Sequence, residues 1–509
     1  SLLSALEEPP MQQWPASGTF NPALEITRLA YDSRKVTPGA LFIAVPGAHT
    51  DGRAYLAEAA QRGALAALGP TLDGILPLDQ LAPLPYIMVR DVLSALADLS
   101  CAFYTYPAQQ LCTIGVTGTD GKTTTSNLIH TILRAAGKRA GLMTTANFKL
   151  DGQEWENTTR QSTLEALETQ QLLRRMVDEG ITHAVIEATS HGLELQRVRG
   201  CAFDVGVVTN ITHEHLDFHK TLEHYRRAKA RLFEMLDPTR DKGLNGLSER
   251  PTAILNRDDS SYEILLPYCR VPILDYGTDP AAAVRAVDMR LDADSTRFRA
   301  LLPDNEVEIE TQLVGQFNVS NCLAAIATTY SQGIAPAIIA SALATVAGVS
   351  GRMERIDEGQ PFTVIVDYAH TPDSLTKVLA TLRPLTTGKL LVVFGSAGER
   401  DLLKRPIMGQ IAAQMADFFV ITDEDPREED REKILREIAA GSEAVGKREG
   451  RDFLCIADRT QAIATALARA RAGDTILLAG KGHEQSIITG REKIPWDDRR
   501  VAREQLRSL

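Results

Sequence analysis

Residues 110–136 read QLCTIGVTGTDGKTTTSNLIHTILRAA, and this stretch decides the fold class. Cys112 to Val116 is short and apolar, which predicts a buried strand. Leu128, Ile129, Ile132, Leu133 and Ala136 recur at helical spacing, and Gly137 stops that helix. Between strand and helix lies Gly118-Thr119-Asp120-Gly121-Lys122-Thr123-Thr124. A glycine-rich turn feeding a helix aims backbone N–H groups and the positive end of the helix dipole at one point, which suits phosphate. In such a loop Lys122 reaches the β- and γ-phosphates, and the Thr123 hydroxyl reaches Mg²⁺. Val116 stands where the usual G-x-x-x-x-G-K-[ST] pattern begins with glycine. The competing reading is an ordinary turn before a helix. The order strand, turn, Lys-Thr, helix argues against it.

The chain has 509 residues, room for two to four domains that each bury a core. Hydrophobic residues make up 44% and charged residues 24%, an ordinary globular balance. The net charge of −11 comes with no long basic run, which argues against a nucleic-acid partner. Cys101, Cys112, Cys201, Cys269, Cys322 and Cys455 are scattered without C-x-x-C, the pattern of reduced thiols in a cytoplasmic protein. There is neither a basic-then-apolar leader pattern nor an apolar run long enough to span a bilayer, so no membrane insertion is expected.

Three domains are expected, all α/β: 1–109, 110–348 and 349–509. The first carries strands at Ala40–Val45 and Pro85–Val89 and a helix at Val92–Phe103. Polar, Gly-containing stretches flank its first strand: Tyr31-Asp32-Ser33-Arg34 before it, and Pro46-Gly47-Ala48-His49-Thr50-Asp51-Gly52 after it. From composition alone they are turns. The central domain is expected to hold a mostly parallel sheet. Its strand His183–Ile186 ends at Glu187, a carboxylate placed where a Mg²⁺ ligand is needed beside a phosphate loop. Strand Val205–Thr209 leads into Asn210-Ile211-Thr212-His213-Glu214-His215. Those histidines lack the cysteines or spaced carboxylates of a tetrahedral zinc set. On the helix Leu222–Leu236, Lys229 borders the buried stripe among Arg226, Arg227 and Arg231. Desolvation and like charge both favour a neutral amine there. A snorkelling lysine is the plainer alternative. The third domain alternates strands (362–366, 389–394, 418–421, 475–479) with helices (371–383, 405–416, 458–472). That alternation predicts a doubly wound, Rossmann-like sheet. Functional loops then belong at the strands' C-terminal ends. The unusual residues fall there: Asp367-Tyr368-Ala369-His370, Gly395 to Asp401, Thr422 to Arg427 and Gly480 to Glu484.

Gly118 to Thr124 resembles the ATP loop of the Mur ligase family, whose pattern is a short G-T-x-G-K-[ST]. That family contains the muramyl peptide ligases and folylpolyglutamate synthetase. The runs D-S-R, N-T-T, E-A-T-S-H-G-L, G-Q-F-N, G-R-M-E, D-Y-A-H-T-P-D, K-R-P and G-K-G-H-E follow the order found in the branch that adds a diamino acid, across essentially the whole chain. The resemblance implies an ATP-dependent acid–amino-acid ligase of peptidoglycan precursor synthesis, and it sets folylpolyglutamate synthetase well behind. Asn318, Arg352, Asp367 and His370 would join the loop around ATP. Ser33, Ala48, His49, Thr50, Asn157, Thr158, Thr159, Thr189 and Arg197 would hold the UDP-muramoyl dipeptide. Thr123 and Glu187 would bind one Mg²⁺. His215 and Lys229, the latter as a CO₂-derived carbamate, would bind a second. Lys122, Lys229 and His215 are the implied catalytic set. Arg400, Glu424, Asp425, Pro426, Arg427, Gly480 and Glu484 would receive the amino acid. The chain is expected to act as a monomer. Where relatives that take meso-diaminopimelate carry D-N-P-R, this chain has Glu424-Asp425-Pro426-Arg427. The extra negative charge at Asp425, with Glu484 facing the distal amine, leans the expectation toward L-lysine or L-ornithine, with meso-diaminopimelate a close second. A non-catalytic P-loop switch is the alternative of another class.

Overall fold

The strand and helix around the phosphate loop are present as Cys112–Thr117 and Lys122–Ala135. The computed structural model describes residues 2–14, 24–47, 50–72, 84–157, 159, 161–212, 216–244, 251–292 and 295–509. Contacts gather the chain into two units. One comprises Ser1–Gly115, Arg139–Val205 and Glu234–Pro251; the other comprises Val116–Lys138, Gly206–Phe233 and Thr252–Leu509.

In the first unit, one sheet orders its strands Gln12–Trp14, Tyr86–Met88, Ala66–Gly69, Ala40–Ile43, Arg28–Ala30. All neighbours are parallel except the antiparallel edge strand Gln12–Trp14. Side-chain alternation explains the layers. Leu41 and Ile43 pack on Val92, Leu96 and Leu99 of the helix Val92–Phe103, while Ala40 and Phe42 pack with Leu56 and Ala59 on the other face. Further along, His183–Glu187 pairs in parallel with Ala140–Met143, which continues into an antiparallel hairpin of Asn147–Leu150 and Gln153–Glu156. The charged stretch Lys149–Glu156 lies in this hairpin. Asp151 and Gly152 at its tip both have positive φ, 43° and 83°, as a two-residue turn between right-twisted strands requires.

In the second unit, Thr252–Asn256, Ile273–Gly277 and Val284–Leu291 run parallel, and the antiparallel strands Thr296–Leu301 and Glu306–Thr311 extend them. A second sheet orders Glu354–Ile356, Thr363–Asp367, Thr475–Ala479, Leu390–Phe394, Phe418–Ile421, Phe453–Cys455. Only Glu354–Ile356 is antiparallel to its neighbour. Leu390, Val392 and Phe394 face the helices Pro372–Leu382, Lys404–Met415 and Arg431–Ala444. Leu391 and Val393 face Arg459–Arg469 and Asp498–Leu506 on the opposite side. A sheet covered on both faces needs strands that are apolar throughout, and Leu390–Phe394 is buried along its whole length. The doubly wound expectation therefore holds, with no expected element end displaced by more than three residues.

Arg405 locks this sheet's helical layer. Its side chain is fully buried and donates to both oxygens of Glu429, each at 2.8 Å, and to Glu437 at 2.6 Å. The hydrogen bonds from Arg405 pull the Glu429 carboxyl down to about 2. A carboxyl with a depressed folded value stabilises above its unfolded value, about 4.3. That contribution disappears as pH falls through the folded value. The difference in Tm between wild type and Glu429→Gln should thus be constant near neutrality. It should shrink between about pH 4.3 and the folded value of about 2. Thermal melts over that range measure it.

Candidate active site

The phosphate loop is gripped by side chains on its own unit. Gly118 and Gly121 have φ of +146° and +82°. A Cβ on Gly118 would sit 1.9 Å from Thr209 Oγ1, and one on Gly121 would sit 2.2 Å from Asn321 Oδ1. Thr209 Oγ1 donates to the Asp120 carbonyl at 2.5 Å, and Asn210 Nδ2 donates to the same oxygen at 3.1 Å. The Asp120 N–H returns a bond to Asn210 Oδ1 at 3.1 Å. Thr119 Oγ1 shares a hydrogen bond with the Tyr225 hydroxyl at 2.9 Å. Lys122 Nζ folds onto the Thr119 carbonyl at 2.7 Å. Lys229 is 1% exposed and donates from Nζ to the Gly118 carbonyl at 2.6 Å. Its ammonium also lies 4.6 Å from the centroid of the Tyr225 ring, a cation–π distance. Thr123 and Thr124 are buried in the first helical turn.

A cleft of about 750 Å³ opens from this loop. That volume suits a small-molecule ligand. Asp120, Gly121 and Thr124 line one part; Asn318, Arg352 and Asp367 line another. Leu313, Val314, Phe317 and Leu385 add an apolar stretch fit for a base. Asp367 accepts the Met353 N–H at 2.7 Å and the Ala369 N–H at 2.8 Å. Burial pushes its carboxyl above the ordinary value. The Arg352 guanidinium lies 4.6 Å over the Tyr368 ring. His370 packs on the same ring at 4.5 Å, and its Nδ1 meets the Tyr368 carbonyl at 2.9 Å, outside the cleft lining. The cleft also contains residues that the sequence reading missed. Asn256, Asp258 and Asp259 follow strand Thr252–Asn256, and Lys377 comes from the helix Pro372–Leu382. Lys377 Nζ lies 2.6 Å from Asp373 and 3.7 Å from Asp120. The signal was an apolar strand ending in N-R-D-D, the same cue that singled out Glu187.

In the first unit, Asn157, Thr159, Thr189, Arg197 and Glu187 belong to one hydrogen-bonded group. Glu187 is held by the Thr145 N–H at 3.0 Å and its hydroxyl at 2.8 Å. Thr163 Oγ1 donates to the Glu187 carbonyl at 3.0 Å and meets Thr189 Oγ1 at 2.9 Å. Arg197 pairs with Glu165 at 2.6 Å and donates to the Thr163 carbonyl at 3.3 Å. Asn157 donates to the carbonyls of Thr144 and Gln161 and accepts from Thr159. Thr163 is the organiser the sequence did not reveal. Ser33 is buried with its hydroxyl committed to Glu58 at 2.8 Å, while Thr50 is exposed. Ala48, His49, Thr158 and His215 lie outside the described residues.

The loops at the far end of the second sheet converge on Lys481, which is fully buried. Its Nζ is 3.0 Å from Asp425 Oδ1 and 2.5 Å from Glu484 Oε2. Asp425 also accepts the Ile488 N–H at 2.9 Å. The charge expected to face a ligand at Asp425 is therefore engaged by a lysine of the protein's own. Glu424 is buried, and its Oε2 has no hydrogen-bond partner among the described residues. Burial pushes its carboxyl up, against the pull of Lys404 and Lys481. Gly480 crosses close by: a Cβ there would lie 3.5 Å from Glu424 Oε2. Arg427 holds φ +56°, and Arg400 is exposed. Among the described residues no group of three or more His, Cys, Asp or Glu side chains forms a metal set. The hydroxyl of Thr123 and the carboxylate of Glu187 are hard oxygen donors of the kind Mg²⁺ takes.

Residues 25–104 match the Mur ligase family catalytic domain, 116–329 the Mur ligase middle domain and 351–482 the glutamate ligase domain. The chain is 50% identical to a UDP-N-acetylmuramyl-tripeptide synthetase of Roseiflexus sp. strain RS-1 over 95% of each chain. The chain belongs to the Mur ligase family. Further Mur ligase relatives include a UDP-N-acetylmuramoyl-L-alanyl-D-glutamate–2,6-diaminopimelate ligase of Geobacillus kaustophilus, 42% identical over 94% of each chain. A solved diaminopimelate ligase structure superposes with a TM-score of 0.63, 31% identity and 94% coverage of both chains. The Mur ligase described above is thus an ATP-dependent ligase and not a nucleotide-sensing switch. Among its described residues no helix is long and apolar enough to cross a membrane.

The crowding at the loop gives a sharp test. Gly121→Ala forces an L side chain into left-handed backbone, costing about 1–2 kcal/mol, and pushes on Asn321. ATP affinity measured by calorimetry should fall at least tenfold, with the far-UV spectrum of the folded protein retained.

Proposed function

We propose that this ligase joins a diamino acid to the D-glutamate of UDP-N-acetylmuramoyl-L-alanyl-D-glutamate. The reaction would pass through an acyl phosphate. The observation that carries the reading is the cleft lined by Asp120, Gly121 and Thr124 of the phosphate loop on one side and by Asn318, Arg352 and Asp367 on another. A free carboxylate is a poor electrophile, so the γ-phosphate of ATP is transferred to it, leaving ADP. The amine nitrogen then attacks the acyl carbon, phosphate leaves, and the amine's protons pass to solvent or base. Charge accumulates on the transferring phosphoryl oxygens, and fixed positive groups lower that barrier. Lys122 and the N–H groups at the start of helix Lys122–Ala135 serve this purpose. Arg352 and Asp367 hold the nucleotide at the other side.

Thr123 and Glu187 would hold one Mg²⁺, and His215 and Lys229 a second. Bound there, such ions would supply positive charge against the phosphate oxygens. Lys229 would contribute after its neutral amine adds CO₂ and releases a proton, giving an anionic carbamate. The residue fits this chemistry: it is almost completely buried, and the carbamate nitrogen keeps one N–H for the Gly118 carbonyl. The group around Asn157, Thr159, Thr189 and Arg197 would bind the muramoyl dipeptide. Arg197 in particular carries a buried Nε without a hydrogen-bond partner among the described residues.

The loops around Lys481 would receive the diamino acid. Glu424, Asp425 and Glu484 are three carboxyl groups acting with two ammonium groups, Lys481 and Lys404. The surplus is negative, so an end bearing only an ammonium is favoured over one that also bears a carboxylate. Arg427 offers a guanidinium for the α-carboxylate that every candidate shares. This supports L-lysine or L-ornithine ahead of meso-diaminopimelate.

Two experiments test these assignments. Lys229→Ala should lose activity at least a hundredfold and recover part of it with acetate, which replaces the missing carboxylate. Full activity without acetate would dismiss the carbamate role. Comparing kcat/KM for L-lysine, L-ornithine and meso-diaminopimelate on the purified wild type decides the amino acid. A strong preference for meso-diaminopimelate would overturn the surplus-charge argument.

A further inference from the structure

The segment Trp496-Asp497-Asp498-Arg499 plays no part in the chemistry derived above, yet it is tied to the two loops that flank Lys481. Asp498 opens the helix Asp498–Leu506 and is completely buried. Its oxygens take Arg459 Nε at 2.8 Å and Nη2 at 2.6 Å, and the Trp496 indole N–H at 2.8 Å. Arg459 opens the neighbouring helix Arg459–Arg469, and its side chain is also completely buried. It spends its remaining reach on main-chain oxygens. Nη1 donates to the Asp423 carbonyl at 3.0 Å, and Nη2 donates to the Ala479 carbonyl at 2.9 Å.

Those two carbonyls have a particular place in the fold. Asp423 lies just past strand Phe418–Ile421, immediately before Glu424 and Asp425. Ala479 is the last residue of strand Thr475–Ala479, immediately before Gly480 and Lys481. The two strands are not neighbours: Leu390–Phe394 lies between them. Ladder hydrogen bonds therefore cannot set the spacing of the two loops directly. One planar guanidinium reaches both, and the bidentate carboxylate fixes its plane.

We propose that the Arg459–Asp498 pair is a positioning element for amino-acid selection, setting the separation of the 423–427 and 479–484 loops. The proposal rests on the reading that these loops receive the diamino acid. Neither residue touches substrate. Each acts through the two carbonyls. The chain's last helix is thus part of the machinery that makes the pocket, although it lies beyond every loop the chemistry uses.

The test separates position from stability. A buried ion pair replaced on both sides by apolar residues of similar size commonly keeps its fold. The double substitution Arg459→Met with Asp498→Leu removes both donors to the carbonyls while leaving the core filled. Amide hydrogen exchange on the intact protein should accelerate at residues 423–427 and 480–484 and remain unchanged in strand Thr363–Asp367. With ATP saturating, KM for the preferred diamino acid should rise at least tenfold, while KM for ATP stays within twofold. The milder Arg459→Lys keeps the charge but only part of the geometry, and should fall between. Unchanged exchange in both loops, in either variant, overturns the positioning role. So does a folded variant whose KM values for ATP and the diamino acid rise together. If the wild type ligates no diamino acid at all, the assignment of the pocket fails instead, and the exchange data still decide the positioning claim.

Discussion

The structure depends on the absence of two side-chain carbons. At Gly118 and Gly121 the phosphate loop has Thr209 and Asn321 where a Cβ would stand. That closeness lets Thr209 and Asn210 bond the Asp120 carbonyl and Lys229 bond the Gly118 carbonyl. With those carbonyls tied down and the Thr119 and Asp120 N–H groups held by Asn210, the N–H groups left to face a phosphate are those that open the helix Lys122–Ala135. The loop is thus shaped by neighbours that arrive late in the sequence: residues 209–210, 225, 229 and 321. A P-loop pattern alone specifies none of them.

Buried basic side chains do the same work through the second unit. Lys229, Lys481, Arg405 and Arg459 are all nearly or fully enclosed. Burying an unpaired charge is prohibitive, so each has partners. Arg405 and Arg459 each combine carboxylates with main-chain carbonyls of functional loops. Lys229 has the Gly118 carbonyl and the Tyr225 ring. Such pairs add little net stability over an apolar core, but they have strict geometric demands. In this chain that strictness falls on loops whose backbone must be held in place.

Much of this was legible beforehand, for identifiable reasons. Strands such as Phe418–Ile421 and Thr475–Ala479 are apolar runs bounded by turn residues, and their ends were read to the residue. The loops following them were found because charge and glycine cluster at strand C-termini. What escaped were features encoded by one or two residues. The Asp151-Gly152 turn was hidden in a charged stretch. The cleft residues Asn256, Asp258 and Asp259 were passed over because their strand, Thr252–Asn256, went unread. Trp496 to Arg499 follows a polar hairpin and carries no periodic signal, so nothing local marked Asp498 as buried.

Asp425 shows why charge read from a sequence does not transfer directly to a site. In the chain it is an extra negative residue beside an arginine, and it invites a prediction about ligand charge. In the fold its nearer oxygen is 3.0 Å from Lys481 Nζ, and Lys481 is shared with Glu484. The field a ligand meets is therefore that of the whole cluster, not of one carboxylate. Its sign survives, because Glu424 and Glu484 outnumber what Lys481 and Lys404 supply once Asp425 is counted. Its location does not: with Asp425 engaged by Lys481, the acceptor that is buried and without a hydrogen-bond partner among the described residues is Glu424 Oε2. Burial pushes that carboxyl up against the pull of Lys404 and Lys481, and an arriving ammonium would supply the missing partner and favour its charged form. The partner that Glu424 lacks is a property of the folded cluster, which the composition of the loop alone does not contain.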